Sequence, residues 1–245
     1  MAGHSKWANI KFRKGVQDAK RGKIFTKLIR EISVAARMGG GDEAANARLR
    51  DAVSKALKVN MKRDTIDNAI KRGAGGLDGA NMIEMMYEGY GPGGTAILVE
   101  CLSDNKNRTV SEVRHAFTKS GGQLGTDGSV SYLFKKQGEI LLSLIHDPDV
   151  AMELAIDAGA EDVLLDDGQV EIITTVPQYH HVLQVLHSAK LEIEFAHLIR
   201  RAQILLPLTE ETSLKLVTLV DALEDLDDVQ VVYTNAAEED DDVTV

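Results

Sequence analysis

The chain has 245 residues, 44% hydrophobic and 27% charged, enough to bury a core in two or three domains without disulfides or metals. Its one cysteine, Cys101, excludes an internal disulfide framework and any cysteine-rich zinc or iron–sulfur centre, and no stretch approaches the ~20 apolar residues of a membrane span. The net charge of −10 is a sum of two opposed parts: residues 1–75 hold 18 Lys and Arg against 7 Asp and Glu (+11), and residues 76–245 hold 10 against 31 (−21). Local fields decide partners, so the polarity of the chain says more than its average.

The first third reads as three helices. Apolar residues at 25, 28, 29, 32 and 36 form one stripe of a 3.6-residue period, stopped by Gly39-Gly40-Gly41. Asp42 is the expected N-cap of the next helix, whose stripe runs through Ala45, Leu49, Val53, Ala56 and Leu57. A shorter third helix carries Ile66, Ala69 and Ile70 and is expected to end at Gly73 as a C-cap. Each stripe is needed for the core of this small bundle, so the lysines and arginines fall on its outer faces. Residues 73–81 are glycine-rich and read as a linker and domain boundary.

Beyond the linker the period changes. Strands are expected at residues 87–90 and 96–102 around a Gly-Pro-Gly-Gly turn, a helix at 108–119 and a strand at 130–134. Next come a strand at 138–144, a helix at 150–158, a hairpin of 163–165 with 170–174 across Asp166-Asp167-Gly168, a helix at 179–189 and a strand at 192–197. That β-α-β-β-α-β order is a ferredoxin-like plait. The preceding unit shows only β-β-α-β, and a helix at 214–226 with a strand at 229–233 supplies its remaining parts. The expected architecture is therefore α+β and multidomain: a basic three-helix domain (1–80), a discontinuous ferredoxin-like α/β domain (81–134 plus 208–245), and a second such domain inserted into it (135–207). The acidic run 238–242 is expected to be disordered.

The candidate chemistries are few. Gly89-Tyr90-Gly91-Pro92-Gly93-Gly94 satisfies G-x-G-x-x-G, but a dinucleotide loop must open a helix, and this one leads into the β-branched run Thr95–Val99. His180, His181 and His187 lack the i, i+4 partner of a helical metal pair, since 184 and 185 are Gln and Val. Ser103, Asp104 and His115 have no nucleophile-elbow context, and Asp166-Asp167 and Asp227-Asp228 read as turn formers. No catalytic residue, metal or cofactor is expected, and the chain is read as a non-enzyme. Cys101, in a run of strand-forming residues, reads as a buried thiol suited to a reducing compartment. Met1–Trp7 has no apolar core for a secretory signal, so the cytoplasm is the expected location.

The N-terminal cations are different in kind. Lys6, Lys11, Arg13, Lys14, Lys20, Arg21, Lys23, Lys27 and Arg30 fall within 25 residues, opposed by Asp18 alone, with Trp7, Phe12 and Phe25 interleaved. Cations neutralise phosphates and release counterions, and an exposed aromatic such as Trp7 can stack on a base. These nine cations and Trp7 are the candidate nucleic-acid-binding residues.

The run Met1-Ala2-Gly3-His4-Ser5-Lys6-Trp7-Ala8-Asn9-Ile10-Lys11 resembles the YebC/PmpR family, as do Gln17-Asp18-Ala19-Lys20-Arg21-Gly22-Lys23 and Phe25-Thr26-Lys27-Leu28-Ile29-Arg30-Glu31. The same holds for Tyr87-Glu88-Gly89-Tyr90-Gly91-Pro92-Gly93-Gly94, Asn105-Lys106-Asn107-Arg108-Thr109-Val110-Ser111-Glu112-Val113-Arg114 and Gly125-Thr126-Asp127-Gly128-Ser129-Val130. Phe12 departs from the pattern, standing where many members carry a histidine. The resemblance implies a helical domain and two α/β domains, the last inserted into the second. It further implies a cytoplasmic transcriptional regulatory protein that binds DNA, or alternatively a ribosome-associated translation factor that places the same surface on ribosomal RNA or tRNA. Neither role is enzymatic. The acidic α/β domains would then face away from nucleic acid, or toward a basic protein partner.

Overall fold

The computed structural model describes residues 18–75, 82–143, 147–166 and 169–237. Among them, residues 18–131 with 208–234 form one compact unit, and 132–207 with 235–237 form another.

The first unit begins with a helical bundle of α1 (Asp18–Gly39), α2 (Ala47–Lys58) and α3 (Arg63–Ala74). The expected stripes meet in an apolar cluster of Ile32, Ala35, Ala36, Leu49, Ala52, Val53, Ala56, Met61, Ile66 and Ala69, flanked by Phe25 and Leu28. Two boundaries differ from expectation, each for a local reason. Asn46, not Asp42, caps α2: its carbonyl oxygen accepts from Leu49 N at 3.1 Å while its amide donates to Ala35 O and Gly40 O, both at 2.8 Å. One buried side chain thus closes α1 and opens α2, whereas the Asp42 carboxylate accepts from Ala44 N in the preceding turn. Gly73 is not a cap but a buried position inside α3, where a Cβ would stand 2.2 Å from Ser33 O. It is glycine because two helix backbones cross there.

The same unit continues with β1 (Ile83–Tyr90), β2 (Ala96–Ser103), α4 (Lys106–Lys119) and β3 (Gln123–Leu124), and is completed by α7 (Glu210–Glu224) and β8 (Val229–Thr234). The four strands form an antiparallel sheet in the order β3-β1-β2-β8, with Ile83 opposite Ser103 and Tyr90 opposite Ala96. The Gly-Pro-Gly-Gly segment joins β1 to β2, with Gly93 and Gly94 at positive φ and Gly91 N donating to Thr95 O at 2.8 Å. That is a hairpin connection holding a single 3-10 turn at Pro92–Gly94, and it leads into β2 rather than into an α-helix. Sequence gave no sign of β3, which has only two residues. The strand expected at 130–134 is instead a 3-10 turn at Ser131–Leu133 followed by an earlier start of the next strand.

The second unit holds β4 (Phe134–Leu142), α5 (Pro148–Asp157), β5 (Asp162–Asp166), β6 (Gln169–Thr175), α6 (Tyr179–Ser188) and β7 (Ile193–Ala202). Its sheet runs β5-β6-β4-β7, antiparallel throughout, which is the strand order of the ferredoxin-like plait. Ile140, Leu142, Ala151, Ala155, Ile172, Tyr179, Val182 and Leu186 fill its core. Leu206 pairs with residues 235–237, through Leu206 N to Asn235 O at 2.7 Å and Ala237 N to Leu206 O at 2.8 Å; β8 ends before them at Thr234. The fold is α+β, a helical bundle followed by two α/β sheets, and the plait's strands lie in the chain between β3 and β8. The acidic run 238–242 and most of the glycine-rich linker fall outside the described residues.

Candidate nucleic-acid interface

Lys6, Trp7, Lys11, Arg13 and Lys14 lie outside the described residues. Lys20 and Arg21 fall in the first turn of α1. The other three candidate residues, Lys23, Lys27 and Arg30, are brought together on α1, and all three turn toward the end of α7. Lys23 Nζ donates to Asp225 O (3.1 Å) and to its carboxylate (3.0 Å). Lys27 Nζ donates to Glu224 O at 2.9 Å. Arg30 Nη1 donates to Asp227 O (2.5 Å) and to the Asp228 carboxylate (3.0 Å).

Asp228 is the residue that reading the sequence missed. It is 2% exposed and receives more than Arg30. Ser103 Oγ and Thr109 Oγ1 each donate to Oδ2 at 2.9 Å, and Arg108 donates from Nε at 3.2 Å and from Nη2 at 2.9 Å. Burial by itself would raise this carboxyl, but the hydrogen bonds from Arg108, Ser103 and Thr109 outweigh it and hold the group below the usual carboxylate range. The hub therefore ties β2, α4 and the α7–β8 turn to α1. Arg108 also pairs with Asp104 at 2.9 Å, so the Ser103–Asp104 stretch is a structural brace. Cys101 is buried on β2 as expected, and burial together with the nearby Asp228 charge pushes its thiol up to about 12.

A second buried carboxylate organises a loop. Glu88 on β1 accepts from the backbone N–H groups of Gly128 (2.8 Å), Val130 (2.7 Å) and Ser131 (2.8 Å). Burial raises its carboxyl, yet these three amides bring it below the usual range. Tyr90 Oη donates to Ser129 O at 2.8 Å. The Gly125–Val130 motif is thus a loop folded around one acidic side chain from the neighbouring Tyr87–Gly94 motif.

Elsewhere on the bundle, Arg48 forms a two-point pair with Glu31 (2.7 and 3.0 Å) and also meets Glu84 of β1 at 2.5 Å. Arg50 donates to Glu43 O and Ala44 O, and Arg63 pairs with Glu43 and Asp67. Lys62, Lys71 and Arg72 are exposed on α3 or its cap. Phe25 packs against the bundle core. Among the described residues no group of three His, Cys, Asp or Glu side chains is placed to hold a metal, and no helix is long and apolar enough to cross a membrane.

Family models described as "TACO1/YebC protein N-terminal domain" and "TACO1/YebC second and third domain" match residues 5–76 and 82–236. The chain belongs to the TACO1/YebC family. It is 73% identical over 96% of both chains to a Legionella pneumophila protein named "Probable transcriptional regulatory protein", and 58% identical over the same shares to one of that name from Pectobacterium carotovorum. A crystal structure of a conserved hypothetical protein from Aquifex aeolicus matches with a TM-score of 0.85 at 43% identity, covering 98% of this chain and all of the other. The family's domain division separates the basic helical bundle from the two α/β domains, at the point where the charge of the chain changes sign.

Proposed function

We propose that this chain is a transcriptional regulatory protein that binds nucleic acid, duplex DNA in the first instance, through the phosphate backbone and the cations of its helical domain. One observation carries the reading: the separation of charge by fold. The bundle core is a closed apolar cluster, so its cations stand outside it, and the segment that contains it holds 18 basic residues against 7 acidic ones. The names of the Legionella and Pectobacterium relatives support the regulatory role. Phosphate contacts supply position and affinity rather than sequence information, so the reading entails weak sequence preference. It assigns no catalytic step, a cytoplasmic location, and a basic protein as the natural neighbour of the acidic α/β part.

The test is a charge reversal. Lys11, Arg13, Lys14 and Arg21 changed together to Glu are expected to abolish binding to duplex DNA in an equilibrium titration, and binding as tight as wild type overturns the assignment. A strongly acidic remainder suits a basic ribosomal surface as well. Co-sedimentation of the native protein with ribosomes, resistant to DNase, would move the same cations onto ribosomal RNA; a discrete promoter footprint would keep them on DNA.

A further inference from the structure

α7 ends with the wrong charge for a helix. A helix C-terminus carries partial negative charge that attracts cations, yet the last turn of α7 contains no basic residue, and the chain runs on through Asp225, Asp227 and Asp228. The cations come from α1. Lys23, Lys27 and Arg30 sit at i, i+4 and i+7, one face of the helix, and together they meet the Glu224, Asp225 and Asp227 carbonyls and the Asp225 and Asp228 carboxylates.

This contact is graded along its length. The Lys23 and Asp225 side chains are 43% and 65% exposed, whereas those of Arg30 and Asp228 are 20% and 3% exposed. An exposed pair of the first kind is weak and screened by salt. A desolvated pair of the second kind resists separation, because parting it strands a buried charge.

We propose that the outer part of this contact is a latch opened by nucleic-acid phosphates. Lys23 exchanges the Asp225 carbonyl and carboxylate for phosphodiester oxygens, while Arg30 stays on Asp228 as the pivot and Lys27 keeps its partly buried bond to Glu224 O. The inference rests on the reading of the bundle as a nucleic-acid-binding domain and adds a built-in competitor to it. Carbonyl and carboxylate oxygens offer a lysine the same kind of acceptor as a phosphate. A phosphate track differs in bringing condensed counterions, whose release favours the exchange. The acidic turn is tethered, so it competes at a fixed effective concentration, and isolated anions displace it poorly.

The experiment uses the full-length protein and a short duplex DNA. Asp225→Asn weakens the latch and leaves every cation in place; it should bind about 2- to 5-fold more tightly than wild type, the range set by one exposed ion pair. Asp227→Asn removes the same charge from the same turn, but its carboxylate takes no part in the three contacts, so it should stay closer to wild type. DNA should also speed amide hydrogen exchange across residues 225–229 of the wild-type protein. Equal tightening by the two variants, or an affinity of Asp225→Asn unchanged from wild type, overturns the latch, as does unchanged or slowed exchange at 225–229 on binding. Binding by Asp225→Asn alone would support the latch most strongly. Absence of DNA binding by wild type and variant alike would remove the nucleic-acid reading, and the latch with it.

Discussion

The two ends of the α1–α7 contact use the same chemistry to different effect. At the inner end Asp228 is buried and takes donors from Arg30, Ser103, Arg108 and Thr109. At the outer end, three residues earlier, the Asp225 carboxylate meets the ammonium of Lys23 in a solvent-exposed pair. Both are aspartates in one short acidic turn. What separates them is desolvation and the number of donors, so the inner one fastens the helical bundle to the sheet and the outer one is cheap to release.

The largest expected effect tests the inner end. Asp228→Ala leaves Arg30, Ser103 and Thr109 facing an empty acceptor site, and should cost about 3–5 kcal/mol in urea unfolding, the range for breaking a buried charge pair from one side. A loss under about 1 kcal/mol would erase the distinction between the two ends. Acidity gives an independent handle on the same residue. The Asp228 carboxyl lies below its ordinary value, so its stabilisation is present above the unfolded value of about 4 and is lost as pH falls through the native one. The stability gap between wild type and Asp228→Asn should therefore narrow as pH drops below about 4, and a gap that widens contradicts the assignment. Glu88 is lowered as well and titrates in the same direction in both proteins.

A neutral hub inside the bundle sets an intermediate point on this scale. Asn46→Ala removes the α2 cap and two further hydrogen bonds, and should cost about 1–2 kcal/mol by thermal or urea unfolding. Smallest of all, Asp225→Asn should change stability by no more than about 0.5 kcal/mol in the same assay. A larger loss would make the outer end structural, and unsuited to a latch.

These contrasts also mark what the sequence could and could not announce. The stripes of α1, α2 and α3 and the plait order of the second sheet were legible, because hydrophobic period and turn spacing are local properties. Asp228 was not. An Asp-Asp pair after a helix looks like a turn, and every side chain that donates to it lies more than a hundred positions away. Gly73 looked like a cap because a glycine near a helix end usually is one; only the crossing with Ser33 shows its use. Asp42 and Asn46 are both good caps by type, and Asn46 prevails because its amide also satisfies two carbonyls at the end of α1. Of the candidate interface, the concentration of cations was legible, but the turn of three of them toward α7 was not, since it depends on where the far end of the chain returns.

The claim beneath all of this is that the basic bundle holds nucleic acid by its phosphates. Its most direct test is the affinity of the full-length protein for duplex DNA, measured across a range of salt concentrations. About five phosphate contacts predict a log–log slope of roughly −4 to −5; a slope near zero, or no binding even at low salt, would contradict it.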